Sequence, residues 1–234
     1  NNKIYVTTRF DSAQFADWKN DNVRILLVGD SYAQDLLNAV SEVGLNTKFS
    51  FSTWGISAEC GSLYVPFDQK EPFIPQRIIP KCQTHDLYLN NDFLAKIKDA
   101  DQIWLASHWL DWHVGLLAES IKNIKDTSNA DLFLFGRKDF PPFKLRQYIG
   151  LSADERSDFA APVDKEAISL NLKIEEETYA TNFIDTQAIM CGGDAFYCKT
   201  FTDEGYLKTY DGGHLTMNGA RYLGKRLIPF LDIP

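Results

Sequence analysis

The stretch "RILLVGDSYAQDLLNAV", residues 24–40, runs through consecutive apolar side chains, turns at Gly-Asp-Ser and then changes its period. The unbroken apolar run within Arg24 to Gly29 suits a strand covered on both faces, where side chains of both parities avoid water. Beyond the turn, Leu36, Leu37 and Val40 fall on one helical face, so Asp35 to Val43 reads as a helix packed back onto that strand. Ser31 then sits at the strand's carboxyl end. The same alternation recurs downstream. Lys48 to Thr53, "QIWLAS" (Gln102 to Ser107), "DLFLFG" (Asp131 to Gly136) and "NFIDT" (Asn182 to Thr186) read as four further strands. Asn91 to Ala100 and Val114 to Ile124 carry helical spacing between them. "SADE" at Ser152 to Glu155 fits a capping box, and Pro162 is placed in the first turn of a helix reaching about Glu177. Thr216 is the expected N-cap of a last helix carrying Ala220, Leu223 and Leu227. Five strands with interleaved helices predict an α/β sandwich with a doubly wound parallel sheet.

Between the second strand and Asn91 the pattern lapses. Gly55 to Thr84 holds Pro66, Pro72, Pro75 and Pro80 with both Cys60 and Cys82, and reads as a long surface excursion. The whole chain, 1–234, is expected to form one domain, since its 44% hydrophobic content and 16 Phe, 10 Tyr and 5 Trp can fill a proper core. A net charge of -8 without a basic patch argues against non-specific binding to nucleic acid or anionic membrane. No apolar run approaches the ~20 residues that span a bilayer. The start at Asn1, with no basic-then-apolar leader, reads as a processed product or an excised domain.

The four cysteines bear on compartment. An even count, with Cys191 and Cys198 close together in a Gly-rich loop, suits disulfides formed in an oxidising space. Three connectivities are open, of which Cys60–Cys82 with Cys191–Cys198 is preferred; four reduced buried thiols are the alternative. Zinc is disfavoured, because there is no Cys-x2-Cys pair and no histidine at ligand spacing.

A serine beyond a strand end exposes its hydroxyl next to the first amides of a helix, which lack intrahelical partners and suit a developing oxyanion. It still needs a base. His214 follows Asp211 by three residues in a Gly-rich loop, so the carboxylate can hold the imidazole in the tautomer that accepts a proton from Ser31. Each residue has a plainer use: Ser31 as a cap, Asp211 as a turn former, His214 as a satisfied structural histidine. Their conjunction in the order Ser, Asp, His favours the catalytic reading. "SHWLDWH" offers His108, Asp111 and His113 as metal ligands, but without helical i, i+4 pairing, so no metal is expected. Trp109 and Trp112 are expected to bind substrate, forming with the Gly55 to Thr84 excursion one wall of a groove that stacks on a sugar near Ser31; core filling is the alternative.

"VGDSYAQDL" and "DGGHLT" resemble the first and fifth blocks of the SGNH (GDSL-type) hydrolase superfamily. The cysteine loop after "FIDT" further resembles the periplasmic SGNH domains fused behind membrane-embedded acyltransferase-3 domains that O-acetylate bacterial surface glycans. The resemblance implies a flavodoxin-like three-layer sandwich, with Ser31 as nucleophile, His214 as base and Asp211 as orienter. It implies an oxyanion hole from Ser31, Gly55 and, where the family carries asparagine, His108; "ASHW" here departs from the family's Gly-x-Asn-Asp. It also implies a glycan acceptor, an acyl group supplied by a donor or an upstream membrane acyltransferase domain, no bound cofactor, and a periplasmic site tethered to the inner membrane. Acyl transfer to a polysaccharide such as lipopolysaccharide O-antigen is the leading expectation. A carbohydrate acetylesterase and a glycan-binding module on the same scaffold are the alternatives.

Overall fold

The computed structural model describes residues 2–18, 22–142, 144–178, 181–192 and 196–231. The middle of the cysteine loop, 193–195, and the ends of the expected 1–234 domain lie outside these residues. In chain order the elements are α1 (Asn2–Ser12), β1 (Val23–Gly29), α2 (Ser31–Glu42) and β2 (Phe49–Gly55). The excursion follows, with the short helices α3 (Phe67–Lys70) and α4 (Ile79–Thr84). Next come α5 (Asn91–Asp99), β3 (Gln102–Ala106), α6 (Asp111–Thr127) and β4 (Asp131–Phe135). The second half holds α7 (Leu145–Ile149), α8 (Ala153–Asp158), β5 (Ala160–Pro162), α9 (Lys165–Glu177), β6 (Asn182–Ile184), α10 (Thr186–Cys191), β7 (Tyr197–Lys199) and α11 (Met217–Leu227).

The central sheet has five parallel strands in the order β2-β1-β3-β4-β6. The alternation of side chains along β1 explains why its run is apolar throughout. Ile25 and Leu27 join the layer that contains Leu36, Val40, Leu223 and Leu227 of α2 and α11, whereas Leu26 and Val28 join the layer of Phe93, Ile97, Leu117 and Ile174 from α5, α6 and α9. All four β1 side chains are 0% exposed. Fully burying one such side chain is worth about 1.5–3 kcal/mol, so the middle strand anchors both layers.

Helix α11 lies on α2 because neither helix puts a side chain between the backbones at one point. A Cβ on Gly224 would stand 2.2 Å from the Ala39 carbonyl oxygen, so any larger residue there would push the two helices apart. That contact brings the end of the chain onto the helix that follows β1.

Three features differ from the sequence reading. Helix α1 has little apolar periodicity, yet it covers α2 through Val6 and Phe10, and Arg9 donates to Asn38 Oδ1 at 2.9 Å. Pro162 does not open a helix; it ends β5, which pairs antiparallel with β7. Proline lacks an amide hydrogen and suits such a short two-stranded edge, and α9 starts later, where Asp164 caps it by accepting from the Glu166 amide at 3.0 Å. The turn serine is itself the first residue of α2 rather than a linker to it.

Both preferred disulfides are formed, Cys60–Cys82 and Cys191–Cys198. The first pins the excursion, whose interior is further held by Lys70 buried against Asp86. No helix among the described residues is long and apolar enough to cross a membrane.

Candidate active site

The register of the sheet places Gly29 opposite both Gly55 and Ala106, so the carboxyl ends of β1, β2 and β3 finish level. Ser31, the residues after Gly55 and His108 therefore gather on one rim, beside the point where the strand order reverses. Gly29 is required there, because a Cβ would stand 1.7 Å from the Ala106 carbonyl oxygen.

Asp30 organises the turn. Its Oδ1 accepts from the Tyr32 amide at 2.8 Å and caps α2, while its Oδ2 accepts from Ser107 Oγ at 2.7 Å and from the His108 amide at 2.8 Å. One carboxylate thus staples the β1–α2 turn to the segment after β3. The Tyr32 and His108 amides are consumed by this staple, which leaves the Ser31 amide as the first helical N–H free of an intrahelical partner.

Ser31 Oγ lies 2.8 Å from His214 Nε2, and His214 Nδ1 lies 2.7 Å from Asp211 Oδ2. With a carboxylate facing Nδ1, the ring carries its hydrogen there, so Nε2 accepts from the serine hydroxyl. The other oxygen of Asp211 accepts from the amides of Gly213 at 2.9 Å and His214 at 2.8 Å. Partial burial pushes the Asp211 carboxyl up, but these two amides and the imidazole outweigh it and leave it below the usual carboxylate range. The His214 carbonyl accepts from Thr209 Oγ1 at 2.8 Å, and the Tyr210 ring lies nearly parallel to the imidazole with centroids 5.9 Å apart. Burial, reinforced by the Asp211 charge, pushes the Tyr210 phenol up to about 12.

Ser31 and His214 border an open cavity of about 550 Å³ that Gly55, Ile56, Ser57, Ala58, Gln34 and His108 also line. His108 is half-buried there, its ring tilted against Tyr32 with centroids 5.3 Å apart. Burial first, and the Arg137 guanidinium second, push its imidazole below the ordinary value, which favours a neutral ring at physiological pH.

The structure separates the two tryptophans. Trp109 is 0% exposed, and its indole N–H donates to the Phe135 carbonyl at 2.8 Å. It fills the core and cannot form a wall of the cavity, which corrects the expectation of a stacking face. Trp112 is half-buried, stacked on Phe73 of the excursion with centroids 5.4 Å apart and packed against Gly61. It does not border the cavity beside Ser31. The trio offered as metal ligands disperses as well. His113 is buried with Nδ1 accepting from the Leu110 amide, Asp111 accepts from Lys173, and His108 faces the cavity. Among the described residues no group of three His, Cys, Asp or Glu side chains is arranged to hold a metal ion.

Sequence reading missed the polar groups beneath the site. Asp35, Lys138, Arg137 and Asp139 are all drawn in: Tyr32 donates its hydroxyl to Asp139 Oδ1 at 2.9 Å, and Arg137 Nε donates to Asp139 Oδ2 at 3.0 Å. A signal existed in "GRKDFPP", where three charges follow soon after the apolar run Leu132–Phe135, and in Asp35, an acid on the apolar face of α2.

The family model of the SGNH domain (fused to AT3 domains) matches residues 7–229. Among solved structures the chain is similar to the lipopolysaccharide acetyltransferase periplasmic domain of Salmonella ser. Paratyphi A, with a TM-score of 0.61, 18% identity, and coverage of 96% of this chain and 95% of that one. A GDSL-like lipase of Bacteroides thetaiotaomicron VPI-5482 gives a TM-score of 0.49 at 13% identity, covering 98% and 96%. No curated protein matches significantly. With the motif blocks, the five-stranded sheet and a match over nearly its full length in agreement, the chain belongs to the family of SGNH domains described as fused to AT3 domains.

Proposed function

We propose that this domain transfers an acetyl or other short acyl group to a hydroxyl of a bacterial surface polysaccharide, such as a lipopolysaccharide O-antigen, by way of an acyl ester on Ser31. The observation that carries the reading is the continuous line from Ser31 through His214 to Asp211, with links of 2.8 and 2.7 Å, opening onto a cavity. His214 Nε2 takes the hydroxyl proton as Ser31 Oγ bonds to the donor's carbonyl carbon. The tetrahedral intermediate then expels the donor's leaving oxygen or sulfur, which receives that proton from the imidazolium. In the second half the sugar hydroxyl gives its proton to His214 and attacks the acyl carbon, and Ser31 Oγ departs with the proton. The amides of Ser31 and Gly55 and the ring N–H of His108 are assigned to the oxyanion. A neutral His108 donates as an amide would, and a missing donor at this position costs about 10²-fold or more in rate.

Family membership favours transfer over hydrolysis, because the AT3 partner described for this family is a ready source of acyl groups. The fold shared with a lipopolysaccharide acetyltransferase periplasmic domain points to the same acceptor class and to a periplasmic site beside the membrane. No cofactor enters the scheme. The test supplies an acetyl donor and surface oligosaccharide to the domain, alone and joined to its membrane partner, and follows acetate against acetylated sugar by mass spectrometry. Acetylated sugar that disappears in Ser31→Ala supports the proposal. Brisk acetate release without any sugar acetylation in either form gives the esterase instead.

A further inference from the structure

The buried pair Asp35–Lys138 stands outside the acyl-transfer line, yet it holds the chain on both sides of His214. Lys138 Nζ donates to the Gly213 carbonyl at 2.7 Å and to Asp35 Oδ2 at 2.7 Å. The Leu215 amide is shared between the two Asp35 oxygens, each 3.2 Å away. The grip thus falls one residue before the histidine and one residue after it. Both side chains are enclosed, with 4% of Lys138 and 0% of Asp35 exposed.

The same pair reaches the nucleophile. Asp35 lies about one turn beyond Ser31 on α2, and the Lys138 ammonium stands 3.9 Å from the centroid of the Tyr32 ring, next to Ser31. Lys138 is itself fixed by its neighbours, since Arg137 donates to the Trp109 carbonyl at 3.2 Å and the Asp139 amide donates to Gln187 Oε1 at 2.6 Å.

The loop that carries the base needs such support. It contains Gly212 and Gly213, with Gly212 at a φ of +98°, and its functional side chains are partly exposed, 30% for His214 and 40% for Asp211. The Phe140 amide also donates to the Gly212 carbonyl at 2.9 Å, but that bond ties the loop to the segment after β4 and not to α2. Two enclosed charges are a costly way to fill a core, and an apolar pair of similar volume would pack as well. What an apolar pair cannot do is donate to the Gly213 carbonyl and accept from the Leu215 amide at once.

We propose that Asp35 and Lys138 are positioning residues that lock the base loop to the nucleophile helix, setting the Ser31–His214 distance and turning Nδ1 of His214 toward Asp211. The inference rests on the reading of Ser31 and His214 as nucleophile and base. Neither residue touches the acyl group.

The experiment compares wild type, Asp35→Leu/Lys138→Met, Lys138→Arg and Ser31→Ala. It reads thermal unfolding, the burst of nitrophenolate from para-nitrophenyl acetate, and the tautomer of His214 by nitrogen NMR. The double variant, which leaves no unpaired charge, is expected to fold and to acylate about 10²-fold more slowly with little change in KM, the usual penalty for a displaced catalytic group. Its His214 should exchange between tautomers, where wild type holds the Nδ1–H form. Lys138→Arg keeps a donor for both oxygens and should recover most of the burst. A folded double variant with the wild-type burst and a single tautomer overturns the proposal. If wild type shows no more burst than Ser31→Ala, the nucleophile reading fails instead; the NMR then decides, an unchanged tautomer overturning the grip and a changed one upholding it. Should the double variant not fold, Asp35→Asn/Lys138→Met, which removes the donor to the Gly213 carbonyl while keeping an oxygen for the Leu215 amide, is read against the same two outcomes.

Discussion

Ser31 Oγ and His214 Nε2 lie 2.8 Å apart although their sequence separation is 183. What closes that gap is the packing of α11 on α2, where Gly224 meets the Ala39 carbonyl, and the capped entry to α11, where Thr216 Oγ1 accepts from the Gly219 amide at 3.0 Å. The first expected outcome follows directly. Ser31→Ala and His214→Ala should each reduce turnover of a small acetyl ester by about 10³-fold or more, and their combination should cost little beyond either alone, because the pair acts as a unit. Asp211→Asn should leave a larger remainder, since Nε2 still meets the serine. Folded Ser31→Ala with full turnover would remove the assignment.

Asp30 is the next target. Asp30→Ala deletes the cap of α2 and strands the half-buried His108 amide, together a loss of about 2–4 kcal/mol in stability. Ester turnover should fall as well, because His108 and the Ser31 turn lose their common anchor. Chemical denaturation and initial rates check both. Stability and turnover both equal to wild type would show that the staple is dispensable.

Much of this arrangement was legible in the sequence because it rests on local chemistry. An apolar run ending in Gly-Asp-Ser announces a buried strand and its turn, and Asp-x-x-His before a capped helix announces the other half of the site. The five strands were legible for the same reason. Trp109 was not, since a tryptophan after a strand end serves equally as core or surface, and only the Phe135 carbonyl in reach of its indole decides between them. The Asp35–Lys138 pair was hidden by its separation of 103 residues. Helix α1 escaped because its stability comes from tertiary contacts of Val6, Arg9 and Phe10 rather than from a periodic face.

The disulfides should be present in the purified protein. Alkylation of the unreduced, denatured chain should modify no cysteine, and intact mass should rise by four adducts only after reduction. Opening either bridge should cost about 2–4 kcal/mol, less for Cys191–Cys198 with its separation of 7 than for Cys60–Cys82 with 22. Four adducts without reductant would contradict the structure.

Acid should weaken the fold through His113. Burial holds its imidazole down at about 3, against about 6.5 in the unfolded chain, so between those values the unfolded state carries one more proton. The neutral ring's contribution is therefore complete above about pH 6.5 and declines by about 1.4 kcal/mol per unit as pH falls toward 3. His113→Gln stays neutral and can still accept from the Leu110 amide, so its urea stability from pH 6 to 4 should fall with a slope shallower by one proton. Identical slopes in the two proteins would assign the acid sensitivity to other groups.

The last expected outcome separates core packing from acceptor binding at the aromatic side chains around the excursion. Trp109→Ala removes a fully enclosed indole and should cost about 3–5 kcal/mol, lowering every activity only through loss of folded protein. Phe73 behaves differently, because it is 50% exposed and lies parallel to Trp112, with an interplanar angle of 5°. Its exposed flat face suits stacking on a sugar ring, although neither Phe73 nor Trp112 borders the cavity beside Ser31. Phe73→Ala should leave stability within about 1 kcal/mol of wild type, as exposed positions generally do. If the pair seats the acceptor, the substitution should depress sugar acetylation several-fold while hydrolysis of a small acetyl ester continues, because water needs no seat and a sugar hydroxyl gains most from being oriented. Paired assays of acetylated oligosaccharide and free acetate give the ratio. An unchanged ratio in Phe73→Ala would place the acceptor away from the stacked pair, and equal loss of both reactions would make the pair part of the scaffold.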